Sequence, residues 1–190
     1  MKTVIERVGG RRPRGLATDD SGATLVEFAL VAPLFLMMLL GAIELGVLGL
    51  VSADFNNAVQ VASRQVRTGQ ADGPTTAAQY ISVICSNMVD GAADCQSRIQ
   101  VVVQPVASFK DAGAQLDKLD SAPPPPPGPN PPPPPPQTFN AGASSQVMLV
   151  DAKFRWPLIV PFAEGAFQRV NATDVLITSR LAFRNEPYAS

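Results

Sequence analysis

From Phe28 to Val51 the chain runs for 24 residues with a single charge, Glu44. Nothing else in the sequence limits the fold as strongly, because roughly 20 apolar residues in a helix suffice to cross the hydrocarbon core of a bilayer. A buried helix of a soluble protein is rarely so long or so uniformly apolar, so the run predicts a membrane span. Pro33 lies inside it; proline removes one helical hydrogen bond, but membrane helices tolerate it. Lys2, Arg7, Arg11, Arg12 and Arg14 precede the run, and the first cations after it are Arg64 and Arg67. The positive-inside rule therefore gives a single pass with a cytoplasmic N-terminus and an outer part from about residue 52.

Three fates are open to such a segment. It can stay as an uncleaved anchor. It can be removed as a secretory signal, with Val51-Ser52-Ala53 supplying the small residues of a cut site; against this, the run far exceeds the roughly 7–15 residues of a signal core. Or the chain can be cut ahead of the run, between Gly22 and Ala23. That cut discards a short, basic, polar leader and leaves Glu27 as the fifth residue of the mature chain. A carboxylate at membrane depth is costly unless paired. In a bundle of such helices, the new α-amino group at Ala23 of a neighbour would pair with Glu27 and set the axial register; register is the best-attested use of buried charge pairs. In an ordinary anchor, Glu27 would instead sit among the headgroups. Glu44, near the outward boundary, either snorkels to the interface or meets a partner helix. At about 100° per residue it lies on a different face from Glu27, so the two do not form one site.

The stretch SG-ATLVEF resembles a type IV prepilin leader, which a membrane aspartyl peptidase cuts after glycine. VEFALVAPLFLMMLLGAIELG followed by NNAVQVASRQVRTG resembles the start of the TadE/TadG-like pilus assembly proteins, pseudopilins of tight adherence (type IVb, Flp-type) systems, with TadE-like chains closest. LAFRNEPY at the C-terminus resembles the terminal Arg-Asn-Glu-Pro signature of TadE-like chains. The resemblance implies a minor pilin or pseudopilin that acts in assembling adhesive pili. It implies prepilin-peptidase processing, with Gly22 before the cut and Ala23 as the new N-terminus. Glu27 corresponds to the pseudopilin glutamate, Glu44 to the acidic residue late in the span, and Arg184, Asn185, Glu186 and Pro187 to the terminal motif. The implied partners are the prepilin peptidase and other TadE/TadG-like or Flp pilin subunits. The implied location is the bacterial inner membrane with a periplasmic C-terminal domain, associated with the pilus. The proline tract departs from what a compact TadE-like chain would carry.

Beyond the membrane, Phe55, Val59, Ala62 and Val66 form one stripe at three- and four-residue steps, so the helix is expected to continue to a stop at Gly69. Gly73-Pro74 is read as opening a second helix, with Ala77, Tyr80, Ile81, Ile84, Cys85 and Met88 on one face and an end at Asp90-Gly91. Ile99–Val103, Gln146–Trp156 and Asp174–Phe183 read as strands, with no clean alternation in the second and a helical turn expected at 163–169. The expected fold is α+β and pilin-like: a long N-terminal transmembrane helix extends into a small domain holding a second helix and a three-stranded antiparallel sheet. The divisions are 1–22 (leader), 23–51 (span), 52–70 (helix continuation), 71–118 (second helix and first strand), 119–138 (polyproline segment) and 139–190 (remaining strands). Twelve of the 19 prolines fall between Ser121 and Gln137. Such a tract is a stiff polyproline II spacer or loop, and a partner with an aromatic groove could also read it.

Cys85 and Cys95 are the only cysteines, and the topology puts both outside the cytoplasm, where a disulfide is expected. The chain has no histidine, which removes histidine triads and the usual zinc sets. A net charge of −1 argues against a nucleic-acid partner. No phosphate-cradling glycine loop, nucleophile elbow or metal-spaced cluster is present, so neither catalysis nor a cofactor is expected. The alternative to the pilus reading is an unprocessed, single-pass anchored module whose outer domain binds or scaffolds a partner.

Overall fold

The computed structural model describes residues 22–89, 94–121, 137–158 and 174–187. The leader before Gly22, the Asp90-Gly91 stop, nearly all of the proline tract and the turn expected at 163–169 lie outside these residues. The chain divides into two compact units, Met1–Ala42 and Ile43–Ser190. One helix, α1 (Ala23–Arg67), is continuous through the boundary and through Pro33.

Among the described residues of the first unit, nothing covers the apolar side chains of α1. Leu25, Phe28, Leu30, Leu34, Phe35 and Met38 are all exposed. By length and composition the helix is able to cross a membrane, with a mean hydropathy of 2.4 in its most apolar stretch. In the second unit the same helix has one buried stripe: Phe55, Val59 and Ala62 are fully buried and Val66 nearly so. The stripe ends in a Schellman motif. Gln70 donates its N–H to the Gln65 carbonyl (3.3 Å) and Gly69 donates to Val66 (3.1 Å). Gly69 has φ +59°, a left-handed conformation that glycine adopts without the Cβ penalty.

The next helix, α2 (Ala77–Asn87), begins later than Gly73-Pro74 predicts. Its N-cap is Thr76, whose hydroxyl accepts the Gln79 N–H at 3.2 Å. Gln79 Oε1 in turn accepts from the Thr75 N–H at 2.8 Å. A side-chain oxygen satisfies the helix's orphan donors, which proline cannot do, and this fixes the start. Tyr80, Ile81, Ile84 and Met88 are buried as the periodicity predicts.

A short helix, α3 (Cys95–Arg98), leads into β1 (Ile99–Val106); α4 (Phe109–Ser121) follows, then β2 (Thr138–Phe139), β3 (Val147–Pro157) and β4 (Asp174–Arg184). The sheet order is β2-β1-β3-β4. β1–β3 and β3–β4 are antiparallel, as expected, but β2 adds to β1 in parallel through Val102↔Thr138 and Val103↔Phe139. The expected three-stranded antiparallel sheet is thus a four-stranded mixed one. A two-residue strand carries no readable period, because its pairing is decided by the tertiary partner. α4 is likewise absent from the sequence reading, although Ser108 caps it: its hydroxyl accepts the Asp111 N–H (3.2 Å) and donates to the Asp111 carboxylate (2.7 Å).

Val101, Val103, Val150, Ala152, Phe154, Val175 and Ile177 form one face of the sheet and join the core with α1 and α2. Phe55 stacks on Phe154 with ring centroids 5.5 Å apart, and Tyr80 meets Phe139 at 5.6 Å. α4 lies against β1 and β3 on the opposite face. This explains the missing alternation in β3: its first six residues, Val147 to Ala152, are all buried, as expected for a strand covered on both sides.

Candidate functional site

The residues singled out in the sequence lie on different elements of the two units. The first group is the start of α1. Gly22 immediately precedes the helix, Ala23 is its first residue, and Glu27 is exposed one turn in. A Cβ added at Gly22 would meet nothing within 4 Å among the described residues, so no packing there demands glycine. Glu44, in the second unit, is half-buried.

The second group is the terminal motif, and it acts as a clasp. Asn185, only 2% exposed, follows directly on β4. Its N–H donates to the Gln146 carbonyl at 2.8 Å. Its side-chain amide donates to the carbonyls of Ala141 (2.9 Å) and Ala143 (3.1 Å). The loop before β3 is therefore folded around one amide. Gly142, inside that loop, has φ +69°, and an added Cβ would lie 2.5 Å from Met148 Sδ, so any other residue there would strain the backbone and displace the Met148 side chain. Glu186 donates its N–H to the Arg67 carbonyl (2.9 Å), and its carboxylate meets Arg67 Nε at 3.5 Å. The motif thus ties the end of α1, the loop at 140–146 and the end of β4 together. Arg184 and Pro187 are exposed.

Cys85 and Cys95 are bonded to each other and join the end of α2 to α3, with Cα atoms 6.0 Å apart. A further cluster went unread in the sequence. Asp151, 2% exposed in the central strand, accepts from Arg180 Nε at 3.0 Å and lies 3.4 Å from Lys153 Nζ. Arg180 also grips Asp120, in the last turn of α4, with both Nη atoms. Hydrogen bonding from Arg180 holds the Asp120 carboxyl below the usual range, and the same contact raises the Arg180 guanidinium. The only sign of this in the sequence is an acid set between apolar neighbours, Val150 and Ala152; the register that sets Asp151 opposite Arg180 is needed to see the pair.

An open groove of about 450 Å³ runs between α1 and β4, lined by Asn57, Gln60, Arg64, Arg67, Leu181 and Phe183 among others. No nucleophile–base pair lies along it. Among the described residues no group of three potential ligands could hold a metal ion.

No curated protein and no solved structure matches the chain. A family model does match, over residues 22–64, the stretch that opens at Gly22 and holds Ala23, Glu27 and Glu44. That family is one of pilus assembly rather than of enzymes. That model is described as TadE-like protein, and the match makes residues 22–64 of this chain similar to the start of TadE-like pilus assembly proteins.

Proposed function

We propose that the chain is a minor pilin or pseudopilin of a tight-adherence (Flp-type) pilus system, cut by a prepilin peptidase after Gly22 and assembled through α1. The observation that carries this reading is a coincidence of boundaries. The family match opens at Gly22, the helix opens at Ala23, and the helix that follows leaves its apolar side chains uncovered. A glycine whose Cβ would meet none of the described residues fits a residue that a peptidase selects and the fold does not. Cleavage would place a charged amine at Ala23, four residues from Glu27. In a bundle of parallel helices the amine of one subunit neutralises the Glu27 of the next, and Glu44 offers a second contact farther along. Residues 1–22 are the leader and 23–51 the span. Residues 52–190 are the periplasmic domain, divided by the polyproline segment at 119–138 and held together by the disulfide and the terminal clasp.

The test is the N-terminal sequence and intact mass of protein purified from membranes, with and without its prepilin peptidase. A start at Ala23 that disappears without the peptidase is expected. A start at Met1 in cells with active peptidase refutes processing and leaves a plain anchored module; a start at Asp54 makes the whole run a signal peptide. The Glu27→Gln variant should be processed normally yet fail to assemble, whereas in a plain anchor it would be silent.

A further inference from the structure

The folded core starts before the apolar run ends. Leu48 is 8% exposed and belongs to the core cluster, and Val51 packs against it. On the same turns, Val47 and Leu50 are 41% and 73% exposed. A helix rises only about 1.5 Å per residue, so the residues from Val47 to Val51 span about one turn. The helix surface that suits lipid and the base of the folded domain therefore overlap within that turn. A layer of water between them would leave Leu50 solvated.

The same end of the domain gathers further apolar groups. Phe55 stacks on Phe154, which places the end of β3 beside the first turns of the buried stripe. Two residues on, Trp156 meets Phe154 at 6.1 Å, and Trp156 and Leu158 both pack on the core while remaining partly open. Val89, just past α2, is 93% exposed. Its backbone is anchored: Asp54 Oδ2 accepts the Val89 N–H at 2.9 Å, and the Cys85–Cys95 bond secures the end of α2. An aliphatic side chain fixed in full exposure beside the exit of a membrane helix is unfavourable in water and favourable among headgroups. Tryptophan, too, is enriched at that level.

We propose that this rim, formed by Leu50, Val89, Trp156 and Leu158, rests in the headgroup layer of the bilayer that α1 enters, so that the domain is seated on the phospholipid surface. The inference depends on the membrane-anchored reading above. It gives Asp54 and the disulfide a role as positioning elements for Val89.

Trp156 is the only tryptophan of the chain and reports its own depth. The full-length protein is reconstituted into phosphatidylcholine vesicles carrying a nitroxide either high on the acyl chain, near the headgroup, or at the acyl terminus. Flotation checks anchoring in the same samples. The shallow nitroxide is expected to quench Trp156 at least about twofold more than the deep one. Val89→Asp should roughly halve the shallow quenching while flotation is unchanged. Protein that floats with Trp156 unquenched by either label overturns the seating, as does quenching that Val89→Asp leaves unaltered. Protein that does not float overturns the anchoring reading and this one with it.

Discussion

Asn185 supplies the sharpest test of whether the terminal motif is part of the fold or an address displayed to another protein. Its side-chain amide donates two hydrogen bonds to backbone carbonyls, at 2.9 and 3.1 Å, from a residue 2% exposed. A hydrogen bond contributes about 1 kcal/mol net, so Asn185→Ala should cost roughly 2 kcal/mol. Asn185→Asp keeps the shape but replaces the donor with an anion facing two carbonyl oxygens. Burial and the oxygens both disfavour the charged form, which raises the carboxyl's folded pKa above its unfolded value of about 3.9. A group raised on folding adds stability that is present below its unfolded pKa and lost as pH rises through its folded pKa. At about pH 7 the Asp variant should therefore be less stable than the Ala variant, with a total cost of roughly 3–4 kcal/mol. Near about pH 4 the protonated acid donates one hydrogen bond, and the order of the two variants should close or reverse. The assay is urea unfolding of the full chain in detergent with the disulfide intact, followed by Trp156 emission at both pH values. If Asp is no worse than Ala at neutral pH, or the gap between them ignores pH, the clasp is not what the motif provides.

Further outcomes follow from three other sets of contacts. Reducing Cys85–Cys95, which encloses a short loop, should cost about 3 kcal/mol in urea unfolding of the same full-length protein. Arg180→Ala removes the main partner of buried Asp151 and leaves it, among the described residues, with Lys153, so it should cost about 3 kcal/mol. Asp120→Asn should cost less and should raise amide exchange in α4 selectively. Because Arg180 lowers the Asp120 pKa, that contribution is present at neutral pH and is lost as pH falls below the usual carboxylate range. Burial pushes the Tyr80 phenol up to about 12 against the opposing hydrogen bond with Ser63, so absorbance should show it titrating late, with stability falling as pH rises from about 10. Tyr80→Phe strands the buried Ser63 hydroxyl, 2.7 Å away, and should cost about 1–2 kcal/mol.

The sequence by itself determined what depends on composition and local period. The apolar run from Phe28 to Val51 needs no tertiary context to demand lipid or partner helices, because helix length and hydropathy alone set that demand. The stripe Phe55, Val59, Ala62, Val66 and the stop at Gly69 were legible for the same reason: a 3.6-residue period and a left-handed cap are written in consecutive residues. Strand β4 alternates cleanly because only one of its faces is buried, so its pattern is legible from Asp174 to within one residue of its end. α2 starts at Ala77 and not near Pro74 because the Thr76 hydroxyl caps it, a contact that appears only once the helix direction is set.

Only the tertiary structure decided the rest, and in each case distance along the chain is the cause. β2 exists because Val102 and Val103 offer it an edge more than thirty residues away. β3 hides its period because α4 covers the face that α1 and α2 do not. Asp151 finds Arg180 through a register fixed by the whole hairpin, and Asn185 finds Ala141 and Ala143 through the same register. The motif at the C-terminus could be recognised as a string of four residues. That it clasps the end of α1 to the start of β3 follows only from where folding brings those carbonyls, since a hydrogen bond is specified by position in space and not by position in sequence.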